Sequence, residues 1–167
     1  AKENKFDFII GVANQNSTYG FINKLGFKLL SPLKAVVGKG SITPVLSQKD
    51  LLIPDRSQNF INWRLKMPFS NYKIDSRGNI SKYLYNSFFK VRMGETKFNT
   101  HLNKSRKGIF DIQLYNYPKE NKSGFFMKIP DKFKPSPLNL IFKSLNSAHE
   151  NVSKENIIFS CLDFDAY

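Results

Sequence analysis

The residue types able to do acid–base chemistry in this chain are few and scattered. Asp111 lies between apolar residues in a strand-like stretch, where a buried carboxylate needs a partner or a raised pKa. His101 lies in an alternating stretch and could act as a general base. Asp163 and Asp165 alternate near the end of the chain, so on a strand they would point to one face and could hold a substrate ammonium or pair with lysines. Asp111 and His101 are therefore catalytic candidates, and Asp163 and Asp165 are substrate-binding candidates.

Metal and thiol chemistry have little support in the sequence. His101 and His149 have no partners at metal-ligand spacing, and no zinc, phosphate-loop or nucleophile-elbow motif is present. The lone cysteine, Cys161, lies in an apolar stretch and is expected to be a small core residue in a reducing compartment. We therefore expect a cytoplasmic protein without a metal, and no apolar run approaches the roughly 18 residues of a membrane span.

The beginning of the chain carries the clearest local pattern, a strand followed by a helix. Residues 6–13 form an apolar run with little alternation, as in a strand that is covered on both faces. Asn14 or Asn16 can cap the helix that follows, because a short side-chain acceptor satisfies an N–H group of the first turn. Gly26 is expected to end the helix in a left-handed conformation. The apolar stripe of this helix is predicted to consist of Phe21, Ile22 and Leu25.

This stretch resembles the C-terminal half of an acyl-CoA N-acyltransferase of the GNAT superfamily. Members of that superfamily end with a strand, an asparagine-containing turn, a short helix and a Lys-x-Gly-Phe-like tail. The matching pattern, within roughly residues 5–38, is Asn14-x-Asn16-Ser17-(x)3-Phe21-(x)2-Lys24-Leu25-Gly26-Phe27. The resemblance implies acetyl-CoA or another acyl-CoA as cofactor and a small amine, such as an amino sugar, as substrate. It places Asn14, Asn16 and Ser17 beside the pantetheine and nucleotide parts of the cofactor.

The chain departs from the family pattern in two ways. The phosphate-binding Arg/Gln-x-x-Gly-x-Gly/Ala loop that opens a helix is absent, and the glycines at 38 and 40 lead into Pro44 rather than into a helix. The tyrosine that protonates the leaving thiolate in many members falls on Ile22, which leaves Tyr19, one turn earlier, as a catalytic candidate. The resemblance thus implies a partial or degenerate acyltransferase, completed by a missing upstream half or by a second copy of the chain.

The second half resembles the second half of bacterial tandem proteins of the same superfamily. A short helix is predicted over residues 57–66, capped by Ser57 or Asn59, with its inward side formed by Phe60, Trp63 and Leu65. Trp63 is expected to be a core anchor rather than a stacking platform. Arg64 could bind a substrate anion or pair with a carboxylate, and both readings stay open. The residues that carry this resemblance are Phe60, Trp63, Arg64, Pro68, Tyr72 and the Pro-x-Pro-Leu…Lys-x-Leu…Asp-x-Asp ending.

Strand-like alternation dominates the remainder of the chain. We predict an antiparallel meander of strands near 82–93, 96–102 and 109–115, with a tight connection at residues 94–95. Further strands are predicted at 124–129, 138–145 and 156–162, with a short helix between the last two. The expected fold class is α+β: a GNAT-like, mixed and mainly antiparallel sheet with few helices.

Three segments are expected in the chain. Residues 1–38 form a strand–helix–strand unit whose returning strand bends at Pro32, residues 39–56 form a connector, and residues 57–167 form a shortened second half. The first unit could pack with the second half as one composite domain.

The charge of the chain favours anionic partners. The formal net charge is +13, which suits a polyphosphate cofactor or nucleic acid, although a solvated basic surface is the simpler explanation. One alternative function is therefore nucleic-acid binding, and another is a non-catalytic module that packs against a partner chain or a second copy. The aromatic residues that could present a stacking platform are Tyr83, Tyr85, Phe89, Phe98, Phe110 and Tyr115.

Overall fold

The fold is mixed α+β with mainly antiparallel sheets, as the sequence predicts. The computed structural model describes residues 6–46, 51–67, 72–75, 78–83, 88–95, 109–134 and 136–164. The strands are β1 (Phe8–Ala13), β2 (Lys28–Pro32), β3 (Lys34–Pro44), β4 (Tyr72–Ile74), β5 (Asn79–Tyr83), β6 (Phe89–Glu95), β7 (Phe110–Asn116), β8 (Glu120–Lys128), β9 (Asn139–Ser144) and β10 (Phe159–Ser160). The helices are α1 (Gln15–Asn23) and α2 (Gln58–Leu65).

Helix α1 begins where the sequence predicts. The side chain of Asn14 accepts a hydrogen bond from the backbone N–H of Ser17 at 2.9 Å, which caps the first turn. Gly26 follows the helix with φ 68°, the left-handed conformation expected at a helix end. The predicted apolar stripe is wrong at Leu25, because the helix ends at Asn23 and the Leu25 side chain is 52% exposed.

A small sheet joins the two ends of the chain. Its strand order is β1-β9-β2, and β9 runs antiparallel to both of its neighbours, so β1 and β2 are parallel to each other. Helix α1 is the crossover between these two parallel strands. The core on this sheet consists of buried Leu33, Leu140, Phe142, Ile157 and Phe159.

The predicted returning strand is two strands in two different sheets. β2 ends at Pro32 and pairs with β9, whereas β3 begins at Lys34 and pairs with β7 and β8. β3 also continues to Pro44, past residue 39, where the connector was expected to begin. These pairings hydrogen-bond the first unit to strands of the second half. The division of the chain into three segments stays a prediction.

The larger sheet has the strand order β4-β5-β6-β7-β3-β8, and β10 adds to β7. β6 pairs directly with β7, in parallel, so the prediction of an antiparallel meander with a strand at 96–102 between them is wrong here. The single strand predicted near 82–93 is also wrong, because β5 and β6 are separate strands that pair antiparallel. Gly94 and Glu95 are the last residues of β6 rather than a tight connection. The strand predicted at 96–102 lies outside the described residues. The core on one face of this sheet consists of Ile61, Tyr72, Ile74, Ile80, Val91, Met93, Cys161 and Leu162.

Two glycines bring β3 and β8 close together. Gly40 and Gly124 are partners in the ladder and have φ values of 142° and 108°, which only glycine adopts readily. A Cβ at Gly124 would lie 2.2 Å from the carbonyl oxygen of Lys39. The two strands therefore approach more closely here than any other residue type would allow.

Helix α2 is capped as predicted, and Phe60 and Leu65 pack against the core as expected, but Trp63 does not. Ser57 accepts a hydrogen bond from the N–H of Phe60 at 3.3 Å. Ile61 and Arg64 are buried, whereas Trp63 is 57% exposed. The prediction that Trp63 anchors the core is therefore wrong: the helix turns the positions of Ile61 and Arg64, three residues apart, toward the protein.

The end of the chain is less regular than predicted. The predicted helix between β9 and β10 consists of two 3-10 turns, Ser147–His149 and Lys154–Asn156. The last strand is only β10, and the 3-10 turn Cys161–Asp163 follows it, so Asp163 does not lie on a terminal strand. In the part of the chain that the structure describes, no helix is long and apolar enough to cross a membrane.

Two glycine substitutions should have opposite effects on stability. Gly124→Ala should destabilise the protein by at least about 2 kcal/mol, because it combines an unfavourable φ with a backbone clash. Gly20→Ala should stabilise it by roughly 0.5–1 kcal/mol, since a Cβ at this helical position meets nothing within 4 Å. Denaturant unfolding of both variants measures the difference. An unchanged stability in Gly124→Ala would contradict the close β3–β8 pairing.

Candidate functional site

The three predicted cofactor residues lie together in the first turn of α1. The Oδ1 atom of Asn14 accepts from both the backbone N and the Oγ of Ser17, each at 2.9 Å. The side chains of Asn14 and Ser17 therefore hydrogen-bond to each other, and the role of Asn14 in this structure is to cap the helix. Asn16 is exposed, and its backbone N–H has no acceptor among the described residues. Asn16 is thus the member of this set that is available to a ligand.

The start of α1 is held by the segment that enters β9. The backbone N–H of Gln15 donates to the Oγ of Ser136 at 3.0 Å, and the Nδ2 of Asn139 donates to the Oγ1 of Thr18 at 3.0 Å. These contacts fix the direction of the helix N-terminus, which carries a partial positive charge. The helix start is therefore a supported, weakly electropositive edge.

The catalytic candidates do not form one constellation. Tyr19 is an exposed residue of α1, whereas Asp111 is buried in β7 of the larger sheet. His101 lies outside the described residues. Within the described part of the chain, no contact joins Tyr19 to Asp111, so an acid–base pair made of these two side chains has no geometric support.

Asp111 has the environment that the sequence predicted for a buried carboxylate. It is only 7% exposed, and its Oδ1 lies 3.3 Å from the Nζ of Lys90. Its Oδ2 lies 3.9 Å from the Nη1 of Arg92. Burial raises the pKa of Asp111 above its usual 3.8, although the two cations act in the opposite direction. The net effect is a carboxylate that accepts a proton more readily than an exposed aspartate.

Asp111 lines a charged cleft of about 650 Å³. Arg92 joins its walls, because its guanidinium donates to the carbonyl of Gly40 at 2.6 Å, to Glu95 at 2.8 Å and to the Oδ1 of Asn79. Asn79 in turn donates to Asp75 at 2.7 Å. The lining includes the carboxylates of Asp75, Glu95 and Asp111 and the cations of Lys39, Lys90 and Arg92, so the cleft can take a polar ligand that both donates and accepts hydrogen bonds.

The sequence analysis missed the cations of this cleft. Lys90 and Arg92 alternate on β6, so they point to one face, and Lys90 is the ladder partner of Asp111. The alternation was visible in the sequence, but the parallel pairing of β6 with β7 was not. Without that pairing nothing joined these residues to Asp111.

The remaining substrate candidates hold the end of the chain in place. Arg64 is buried and donates to the carbonyl of Phe164. Asp163 is buried and accepts from the backbone N–H of Ser160 at 2.7 Å and from Arg56 at 3.0 Å. Both contacts serve the fold. Asp165 lies outside the described residues.

Thiol and metal chemistry have no site in the described ranges. Cys161 is fully buried in the core, as predicted, and burial raises the pKa of its thiol to about 12. Among the described residues, no group of three or more His, Cys, Asp or Glu side chains could hold a metal ion.

Removal of the Asp163 carboxylate tests its structural role. Asp163→Ala should cost about 3–5 kcal/mol of unfolding free energy, since it leaves Arg56 without its buried partner. Asp131→Ala is the matched control, because the exposed Asp131–Lys134 pair should contribute little. Thermal and denaturant unfolding provide the comparison. If Asp163→Ala were as stable as the control, the carboxylate would be available for substrate.

Asp111 should give the protein a characteristic pH dependence. Its folded-state pKa lies above the unfolded value, so its contribution to stability is present below pH 3.8 and is lost as the pH rises through the folded-state pKa. Asp111→Asn should therefore gain stability relative to the wild type as the pH rises from below 3.8 through the folded-state pKa of Asp111, measured as unfolding midpoints across a pH series.

Asp131→Asn serves as the control of opposite sign. A hydrogen bond from Lys134 at 2.6 Å lowers the pKa of Asp131, so its contribution is present above pH 3.8 and is lost as the pH falls. A pH-independent difference between the wild type and Asp111→Asn would contradict the raised pKa of Asp111.

No protein-family model, curated protein or solved structure matches this chain. The function proposed below therefore rests on the sequence resemblance and on the geometry of the described residues.

Proposed function

We propose that this chain is part of an acyl-CoA-dependent N-acyltransferase of the GNAT type that acts on a small amine. The observation that carries the proposal is the β1–α1–β2 unit: parallel strands joined by a helix whose capped start holds Asn14, Asn16 and Ser17. A ligand at the start of such a helix meets unpaired N–H groups and a partial positive charge.

The residues of this edge fit one polar group of the cofactor. The N–H of Gln15 is taken by Ser136 and that of Ser17 by Asn14, which leaves the N–H and the side chain of Asn16. These donors are too few to hold a pyrophosphate, which usually takes several N–H groups. We infer that the other phosphate-binding donors come from outside the described residues, in a missing upstream half or a second copy.

The open edge of β1 supports an additional half. Within the described ranges β1 pairs with β9 alone, so the backbone groups along its other edge have no strand partner. The sequence of β1 suits a strand covered on both faces, yet Ile9 is exposed. A further strand beside β1 would pair with this open edge and extend the sheet next to the start of α1.

The chemistry would follow the general course of acyl transfer. The cofactor would supply a thioester, and the substrate amine would attack its carbonyl carbon, forming the C–N bond as the C–S bond to the CoA thiolate breaks. The amine would lose its proton to solvent or to a base outside the described residues. The role of this chain is to orient the cofactor, with Asn16 as the contacting residue and Asn14 as the residue that positions the helix start. Tyr19 is an exposed residue of α1, one position after Thr18, and is the candidate closest in the chain to Asn16 for donating a proton to the leaving thiolate.

Calorimetric titration with acetyl-CoA and with CoA tests the proposal. We expect weak, saturable binding, between about 0.1 and 1 mM, because the start of α1 supplies few donors to the cofactor. Binding should weaken roughly tenfold in Asn16→Ala, since one hydrogen bond is lost at the cofactor edge. Asn23→Ala is the control, since Asn23 lies at the other end of the same helix and, among the described residues, its side chain bonds to the carbonyl of Tyr19 in that helix.

Two results would contradict the proposal. Absence of binding at millimolar acetyl-CoA would exclude this chain as an independent cofactor-binding unit. Equal weakening in Asn16→Ala and Asn23→Ala would mean that the loss reflects helix stability and not contact with the cofactor.

A further inference from the structure

Three aromatic side chains form a row across the larger sheet. Phe89 and Phe110 are ladder partners on β6 and β7, and their ring centroids are 6.1 Å apart. The ladder between β3 and β7 ends at the pair Gly38–Asp111, so Lys39 and Phe110 are the residues just beyond its last pair, and Lys39 pairs with Phe125 on β8. Residues opposite each other in a ladder point to one face. The row therefore runs Phe89, Phe110, Lys39, Phe125.

The three aromatic side chains of the row are exposed, unlike the core residues farther along the same face of the sheet. Phe89 and Phe110 are 43% and 40% exposed, and Phe125 is 64% exposed. The next row on this face, formed by Val91, Ile112, Val37 and Met127, is entirely apolar, and its Val91 end is buried in the core. The aromatic row therefore lies next to a row of apolar residues that is anchored in the core at its Val91 end. Isolated exposed apolar residues need no explanation, but a row of three rings across neighbouring strands does.

The positive charge of Lys39 indicates what kind of partner this row could bind. Lys39 is exposed and has no hydrogen-bond or ion-pair partner among the described residues. The row and the row next to it contain no acidic residue, and Asp111 alternates with Phe110 and pairs with Lys90. Lys39 also lines the charged cleft that holds Asp75, Glu95 and Asp111, so it lies between the aromatic rings and that cleft. The chain as a whole carries a net charge of +13. A partner of this surface should therefore offer flat apolar faces together with negative charge.

We propose that this row is a binding platform for single-stranded nucleic acid. Unpaired bases stack on exposed aromatic rings of a sheet, and phosphates are attracted to lysine between the rings. Phe110 and Phe125 are two strands apart, about 10 Å, so neighbouring rings can take successive or alternate bases. The platform reads no base edge, so it binds with little sequence preference.

Tyr115, which the sequence analysis included in the stacking platform, is not accessible to a base. Tyr115 is fully buried, with its ring 4.6 Å from that of Tyr117, so it belongs to the core. Tyr85, Phe98 and the side chain of Tyr83 lie outside the described residues. The platform therefore rests on Phe89 and Phe110 of the residues named from the sequence, and the pairing of β3 with β8 adds Phe125.

Fluorescence anisotropy with a labelled oligo(dT) of about 12 nucleotides tests the proposal, with oligo(rU) in parallel. Phe110→Ala and Phe125→Ala should each weaken binding at least about fivefold, the loss typical of one stacked base. Affinity should fall with salt, by about 0.7 log units per phosphate contact for each tenfold rise in concentration. Lys39→Gln should remove about one phosphate contact and so reduce the dependence of log affinity on log salt concentration by about 0.7.

Phe133→Ala is the matched control. Phe133 is at least as exposed as the row residues and also has a lysine nearby, with the Nζ of Lys132 5.0 Å from its ring, but it lies in a 3-10 turn outside the sheet. It should leave the affinity unchanged. If Phe110→Ala lowers the unfolding midpoint, Phe110→Leu keeps the apolar volume, removes the ring, and should still weaken binding.

Three outcomes would overturn the proposal. The first is the absence of salt-dependent binding. The second is binding that Phe110→Ala and Phe125→Ala leave unchanged, which would place the nucleic acid on a different basic surface. The third is a dimer that Phe125→Ala converts to monomer in analytical ultracentrifugation without any change in oligonucleotide affinity, which would make this face a contact between two copies. None of these results bears on acetyl-CoA binding at α1, so the two proposals fail independently.

Discussion

The hydrogen bonding of β9 to both β1 and β2 is the constraint on which the start of the chain depends. β1 and β2 do not pair with each other, so without β9 neither would have a ladder, and an isolated strand–helix–strand segment cannot bury its apolar faces. The closure is long, since the start of α1 bonds to Ser136 at a separation of 121 residues. Such non-local pairing is entropically costly and typically forms late in folding. The proposed cofactor edge therefore becomes ordered only when the second half of the chain is in place.

The parallel pairing of β6 with β7 has a comparable effect on the larger sheet. It sets Lys90 beside Asp111 on one face and Phe89 beside Phe110 on the other, because successive side chains of a strand point to opposite faces. The first pair joins a buried aspartate to a half-buried lysine in a charged cleft, whereas the second pair is exposed and aromatic. A shift of one residue in this register would bury Phe110 among charges and expose Asp111. The same ladder thus determines both the electrostatics of the cleft and the chemistry of the aromatic row.

Local signals in the sequence were reliable where a short-range mechanism produced them. Asn14 and Ser57 cap their helices because each places a side-chain oxygen within reach of an N–H three residues later. The apolar runs of β1, β8 and β9 were recognised as strands, and Cys161 as a core residue. The errors concern orientation: Trp63 and Leu25 were assigned to buried faces, but the sides that helices α1 and α2 present to the core depend on what packs against them.

By itself, the sequence determined the α+β class, the helix caps, the lone buried cysteine and the requirement that a buried Asp111 have a partner or a raised pKa, since these follow from local geometry and from the cost of burying charge. The tertiary structure decided which strands pair. It separated β2 from β3, joined β6 to β7 in parallel, and so chose Lys90 and Arg92 as the partners of Asp111. Strand pairing joins residues that are far apart in the chain and depends on the packing of the whole sheet, so no local pattern in a single sequence could specify it.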